Sequence, residues 1–178
     1  MRCLLMLTLA AALPAAHALD MPPIRPGLWE SKPGPTLLDG KPTPSPAQMA
    51  AQLEHLPPQV RAQIQQQMQA QGVALGAGGS VRHCITAEML KRQQWGQGHQ
   101  GCQITSTGRS GSTWRWSGQC TQPAGSMEGT TSLQGDTAYR SEVKVKTERN
   151  GKSHLMTTTV EARWVSADCG AVKPVGAP

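Results

Sequence analysis

The sequence predicts a mainly β protein: about seven strands in an antiparallel meander or incomplete barrel, with a helical insertion between the first two strands. Three observations predict it. From Gly101 to Cys169, apolar or small residues alternate with polar ones and turn residues break the run. Asn150-Gly151 stands between two such stretches and is the preferred two-residue hairpin turn. Between Ala47 and Gln71 the apolar period changes to that of a helix.

The chain starts outside the fold. Met1-Arg2 is positive, Leu4 to Leu13 is apolar, and Ala16-His17-Ala18 is a small-x-small cleavage site. Residues 1–18 therefore read as a secretory signal peptide, which predicts a periplasmic location. The apolar run is shorter than the ~20 residues a membrane span needs. Cys3 precedes that run and is not at the cut, where a lipid anchor would need it. Cleavage leaves residues 19–178, the size of a single β-rich domain.

Next, Pro26-Gly27 marks a turn and Leu28 to Lys32 a short strand. Residues 33–80 read as a Pro/Gly-rich loop and helical insertion. Prolines with Gly34 and Gly40 make Pro33 to Pro46 a loop. Met49, Leu53 and Leu56 share one face of a first helix, and Pro57-Pro58 ends it. Val60, Ile64 and Met68 recur every fourth residue of a second, with Pro58 in its first turn. Gly72 to Ser80 reads as a flexible joint. Val81 to Ile85 is a strand. Thr86 caps a short helix, Ala87 to Gln94, with Glu88 in its first turn. Trp95 to Gly101 is a loop.

The meander follows. A first hairpin turning through Gly108, Ser110, Gly111 and Ser112 sets Cys102 opposite Cys120, Ile104 opposite Gly118 and Ser106 opposite Trp116. A three-residue connection at Gln134-Gly135-Asp136 puts Leu133 and Met127 on the buried face; a two-residue one would put Glu128 there. Counting outward from Asn150-Gly151, Val145 faces Met156, Val143 faces Thr158, Ser141 faces Val160 and Tyr139 faces Ala162, with Trp164 on the same face. The other face holds Arg140, Glu142, Lys144, Lys146, Glu148, Glu161 and Arg163, as a solvated face should.

Signal cleavage removes one of five cysteines. An even set in an exported chain implies two disulfides. The hairpin register selects Cys102–Cys120, which leaves Cys84–Cys169. Cysteine spacing gives no Cys-x-x-Cys pair for zinc, and His83 and His99 stand alone, so no metal is expected.

Four stretches carry a family resemblance: Pro26-Gly27-Leu28-Trp29-Glu30, Leu56-Pro57-Pro58, Cys84-Ile85-Thr86-Ala87-Glu88 and Asp168-Cys169. In their order and spacing the chain resembles the domain of unknown function 3617 family, small exported proteins of Gram-negative bacteria. The resemblance implies an exported location and a β-rich fold. It implies no activity and no catalytic residues.

The residues themselves exclude several functions. No Ser/His/Asp set sits in a nucleophile turn, and no Gly-rich loop leads from a strand into a helix to cradle phosphate. Carboxylates are scattered, so neither a catalytic residue nor a cofactor is expected. The formal charge of +6 is spread among acids without an aromatic-basic platform, which excludes nucleic acid. The expected function is non-enzymatic binding or envelope maintenance, with a small apolar ligand. The alternative is a protein–protein module that docks an envelope protein on the Ala47–Gln71 helices. An unidentified enzyme comes third. With no Phe and one Tyr, the inner sheet face is thin, so the helices or a slender apolar molecule are expected to fill it. The candidate ligand or partner surface is Val60, Ile64, Met68, Trp114, Trp116 and Trp164.

Overall fold

A computed structural model describes residues 23–92, 102–121 and 124–174 of the 178-residue chain. The expected signal peptide and the Trp95–Gly101 loop lie outside them. Strand β1 (Gly27–Leu38) turns into β2 (Lys41–Pro42). Helices α1 (Pro46–Glu54) and α2 (Pro58–Ala70) lead to β3 (Val73–Leu75), a 3-10 turn at Ala77–Gly79 and β4 (Val81–Ile85). After α3 (Ala87–Lys91) come β5 (Cys102–Ser110), β6 (Thr113–Thr121), β7 (Ala124–Gln134), β8 (Ala138–Arg149) and β9 (Lys152–Ser166). They form one antiparallel sheet in the order β3-β4-β1-β9-β8-β7-β6-β5, with β2 paired to β1. The sheet is open: β3 and β5 are its two edges among the described strands. The β-rich class is as expected; the described strands number nine rather than seven.

The extra strands come from the stretch expected to be loop. β1 runs past Lys32 to Leu38, and a bulge between Pro33 and Thr36 takes up Gly34 and Pro35. Its pairing with β4 ends at Ser31, so the prolines sit where only β9 needs hydrogen bonds. Asp39 and Gly40, both at positive φ, then turn the chain into β2. Gly72 to Ser80 is not a flexible joint either. It contains β3, and the Gly76 amide donates to the Ser80 carbonyl (2.8 Å) across the 3-10 turn. A Cβ on Gly79 would strike the Pro46 carbonyl, so glycine lets this turn pack on the start of α1.

Local chemistry starts each helix. The Ser45 hydroxyl accepts from the Gln48 amide (3.1 Å) and the Gln48 side chain accepts from the Ser45 amide (2.7 Å), a capping box. Pro58 opens α2, and the Thr86 hydroxyl accepts from the Met89 amide (3.1 Å) at α3. Neither α1 nor α2 buries a residue. α1 packs on the 3-10 turn and α2 on β3, so they do not fill the inner face as expected. Their polar Gln-rich surface leaves only a narrow apolar stripe, enough to cover a three-residue edge strand and no more.

The meander registers hold. Cys102 pairs with Cys120, Ile104 with Gly118 and Ser106 with Trp116. A register shift between Ser106 and Gly108 then carries the chain to a tighter turn, Gly111-Ser112, so Gly108 and Ser110 belong to the strand. The β7–β8 connection has three residues, Gly135 to Thr137, one place later than expected; parity is unchanged and Leu133 is buried. The last hairpin matches throughout, with Asn150 and Gly151 at positive φ. Both disulfides are as expected, Cys84–Cys169 and Cys102–Cys120.

The core sits at one end of the inner face, around a fully buried Trp29 with Ile24, Ile85, Trp114, Leu133, Tyr139 and Ala162. Leu90 of α3 and Trp164 close over it. Trp29 and Tyr139 rings meet at 5.4 Å, tilted by 37°. Gly27 is what allows the entry: its φ is +135°, and a Cβ there would fall on the Ser166 carbonyl and lie 2.8 Å from the Trp164 ring nitrogen. Gly27→Ala should therefore lower stability by on the order of 3 kcal/mol, read as a fall in melting temperature. Non-reducing peptide mapping should recover Cys84–Cys169 and Cys102–Cys120; losing the first, which spans 85 residues, should cost about 4–5 kcal/mol against about 3 for the second.

Candidate functional site

Strand pairing arranges the inner face in rungs, because residues opposite each other share a face. One rung runs Ser31, Ala162, Tyr139, Leu133 and belongs to the core. The next two are smaller and more polar. Trp114 faces Thr131, which faces Ser141 and then Val160. Trp116 faces Gly129, followed by Val143, Thr158 and Thr36. Then comes an apolar rung across six strands: Ile104, Gly118, Met127, Val145, Met156 and Leu38. Leu38 is exposed; Ile104, Met127, Val145 and Met156 are half-buried. We call this partly covered apolar row, which continues outward from the core, the trough.

Glycine and hydroxyl groups shape its floor. A Cβ on Gly129 would overlap the Trp116 ring, and one on Gly118 would press on Met127 at 2.7 Å. The Trp116 indole donates to the Thr131 hydroxyl (3.1 Å), and Thr131 and Ser141 hydroxyls lie 2.7 Å apart. The buried polar groups of the floor thus satisfy one another and leave the rung beyond apolar.

The six candidate surface residues separate into three places. Trp114 and Trp116 are together on the inner face, but Trp114 is 3% exposed and is core. Trp164 caps the core end: its indole donates to the Pro26 carbonyl (3.1 Å), and the Arg25 guanidinium lies 5.8 Å from its ring centroid. Val60, Ile64 and Met68 lie on α2 beside β3. Val60 is exposed and the other two are half-buried. Leu38 was missed, because its strand reads as loop; the Asp39-Gly40 turn is the signal that finds it. Among the described residues, no three metal-ligating side chains come together.

On the outer face, Glu30 is nearly buried and accepts from Arg163 Nε (3.0 Å), Ser80 Oγ (3.1 Å) and Arg82 Nε (3.4 Å). The Arg163 fork, then Ser80, holds its carboxyl below the usual range against the opposing effect of burial. A cleft of about 610 Å³ opens beside it, under Ala77 and Ser80. A second groove, about 660 Å³, crosses the outer face between Arg115, Lys144, Thr159 and Leu37. In the first, the Ser80 hydroxyl meets the Glu30 carboxylate, which Arg163 and Arg82 also engage. Burial pushes His83 down to about 4 and Tyr139 up to about 12, the latter against its hydrogen bond with Ser31.

Fold and site together define a small disulfide-stapled protein with an open antiparallel sheet and a half-open inner face. The sequence profile described as "Protein of unknown function (DUF3617)" matches residues 24–169, and the chain belongs to that family. A relative from Pseudomonas putida, described as "Uncharacterized protein in lpd-3 5'region", is 36% identical over 129 residues, covering 71% of this chain and 88% of its own length. No solved structure matches the chain. Among the described residues no helix is long and apolar enough to cross a membrane.

Acid should weaken this fold in two steps. His83 binds its proton less readily folded than unfolded, so stability falls as pH drops from about 6.5 toward 4. Glu30 is depressed, so its contribution is present above the unfolded value of 4.5 and is lost as pH falls through the folded one. Denaturant melts across this range should show the first slope flatten in His83→Leu and the second in Glu30→Gln.

Proposed function

We propose that this chain is an exported periplasmic protein that binds a slender apolar ligand, such as an acyl chain, and performs no chemistry on it. The observation that carries this reading is the rung Ile104–Gly118–Met127–Val145–Met156–Leu38, continuous with the core yet incompletely covered. Two methionines give it an adaptable lining, and one of them, Met127, leans across Gly118. Ligand sites are mostly apolar with a few placed polar groups, and the Trp116–Thr131–Ser141 hydroxyl chain stands at the inner end. The signal sequence and the two disulfides support export.

A second reading, docking of an envelope protein on α1 and α2, is favoured by the exposure of Met49 and Val60. Native mass spectrometry of protein purified from its own host separates the two, since one expects an apolar small molecule and the other a second polypeptide. Titration with a fatty acid should change tryptophan emission, with roughly tenfold weaker binding in Val145→Gln, where an unpaired amide would enter the rung. A silent titration together with spectra showing bare protein would overturn the ligand reading.

A further inference from the structure

The end of the sheet where β1 turns into β2 and β8 into β9 carries leucines on its surface. Leu37, Leu38 and Leu155 are 37%, 43% and 46% exposed. Leu38 pairs with Met156 and Lys41 on the inner face, while Leu37 and Leu155 stand on the outer face on adjoining strands. Asp39 ties the two hairpins into one tip. Its amide donates to the Leu155 carbonyl (2.8 Å), Oδ1 accepts from the Leu155 amide (2.8 Å), and Oδ2 lies 2.8 Å from His154 Nδ1. A single surface leucine needs no explanation, but a cluster on a rigid tip does.

Cations surround it. Lys41 is opposite Leu38, Lys146 is opposite Leu155, and Arg149 is opposite Lys152 at the β8–β9 turn. All four are exposed, and none forms an ion pair with a described residue. Of the nearby acids, Asp39 is hydrogen-bonded to His154 and also feels the charge of Lys41, which leaves Glu148 for the rest. Exposed leucines ringed by exposed cations in excess of the local acids match the boundary of an anionic bilayer, where apolar groups enter below the headgroups and Lys and Arg meet lipid phosphates.

We propose that this tip docks reversibly on the surface of an anionic phospholipid bilayer through Leu37, Leu38 and Leu155, steered by Lys41, Lys146, Arg149 and Lys152. The docking goes beyond the ligand reading and needs no occupant in the trough.

Flotation of the mature exported protein tests it. With vesicles of equal parts phosphatidylethanolamine and phosphatidylglycerol the protein should float, with pure phosphatidylcholine it should not, and added salt should release it. The double variant Lys146→Glu/Lys152→Glu should partition at least about tenfold more weakly, since each cation near the surface contributes. Leu155→Ser should also weaken flotation at unchanged melting temperature; if it unfolds, the charge variant carries the test. Failure to float with anionic vesicles at low salt overturns the proposal, as does flotation that survives both variants. Binding to polyglutamate but not to vesicles would assign the tip to an acidic protein and would equally overturn it. Fatty-acid titration of the same samples reads the trough separately.

Discussion

Strand β1 is held between β4 and β9, and this pairing ties the start of the fold to its end. β9 finishes at Ser166 and lies against a strand that begins at Gly27. Everything between has to be laid out before that ladder can close, so the fold is dominated by long-range pairing and should form slowly for its size. Cys84–Cys169 fastens the same junction from the other side of β1, since Cys84 is opposite Leu28 and Cys169 follows β9. The disulfide and the ladder restrain the same closure, which is why a thin core suffices.

The Pro-Gly-Leu-Trp-Glu stretch at the head of β1 sends successive side chains to opposite faces. Trp29 fills the inner core and its indole donates to the Arg25 carbonyl at 2.9 Å. Glu30, one residue on, faces the other way and gathers Arg163 from β9, Arg82 from β4 and Ser80 from the turn before β4. One apolar anchor and one ionic anchor therefore fix the same strand through its two faces. The ionic anchor is half open to water on the arginine side, so its value lies more in holding the Ser80 turn against the sheet than in net stability. The turn in turn positions α1, which sits over Gly79.

Much of this was legible in the sequence where period and turn chemistry agree. Asn150-Gly151 fixed the register of fifteen-residue β9 against β8 because a two-residue turn leaves no freedom. The pairing of Cys102 with Cys120 was legible because the bulge offsets the turn: a Gly111-Ser112 turn alone would set Cys102 opposite Thr121, and the extra residue before Gly108 restores the register of a turn centred on Gly111. The extension of β1 was not, because Pro33 and Pro35 argue locally against a strand, and only knowledge that the pairing with β4 ends at Ser31 removes the objection. β3 is three residues long, too short to show any period. The trough was half legible: Val145 opposite Met156 followed from the last turn, but joining it to Leu38 and Ile104 requires the order of strands, which no local pattern encodes.

The thinness of the inner face follows from what stands beside its glycines. At Gly118 the space a Cβ would take is used by Met127, at Gly129 by Trp116, and at Gly125 by the backbone of β8. Each glycine thus lets a neighbour lean across instead of contributing bulk of its own. Near the core the neighbour is a tryptophan and the gap closes. Further out it is a methionine, with three rotatable bonds and no fixed shape, and the gap closes only as well as the methionine packs. No aromatic side chain stands in this outer rung. The same arrangement that saves large side chains therefore grades the inner face from a fixed aromatic end to an adaptable thioether end, and that second end opens toward the leucine tip of the β1–β2 and β8–β9 hairpins.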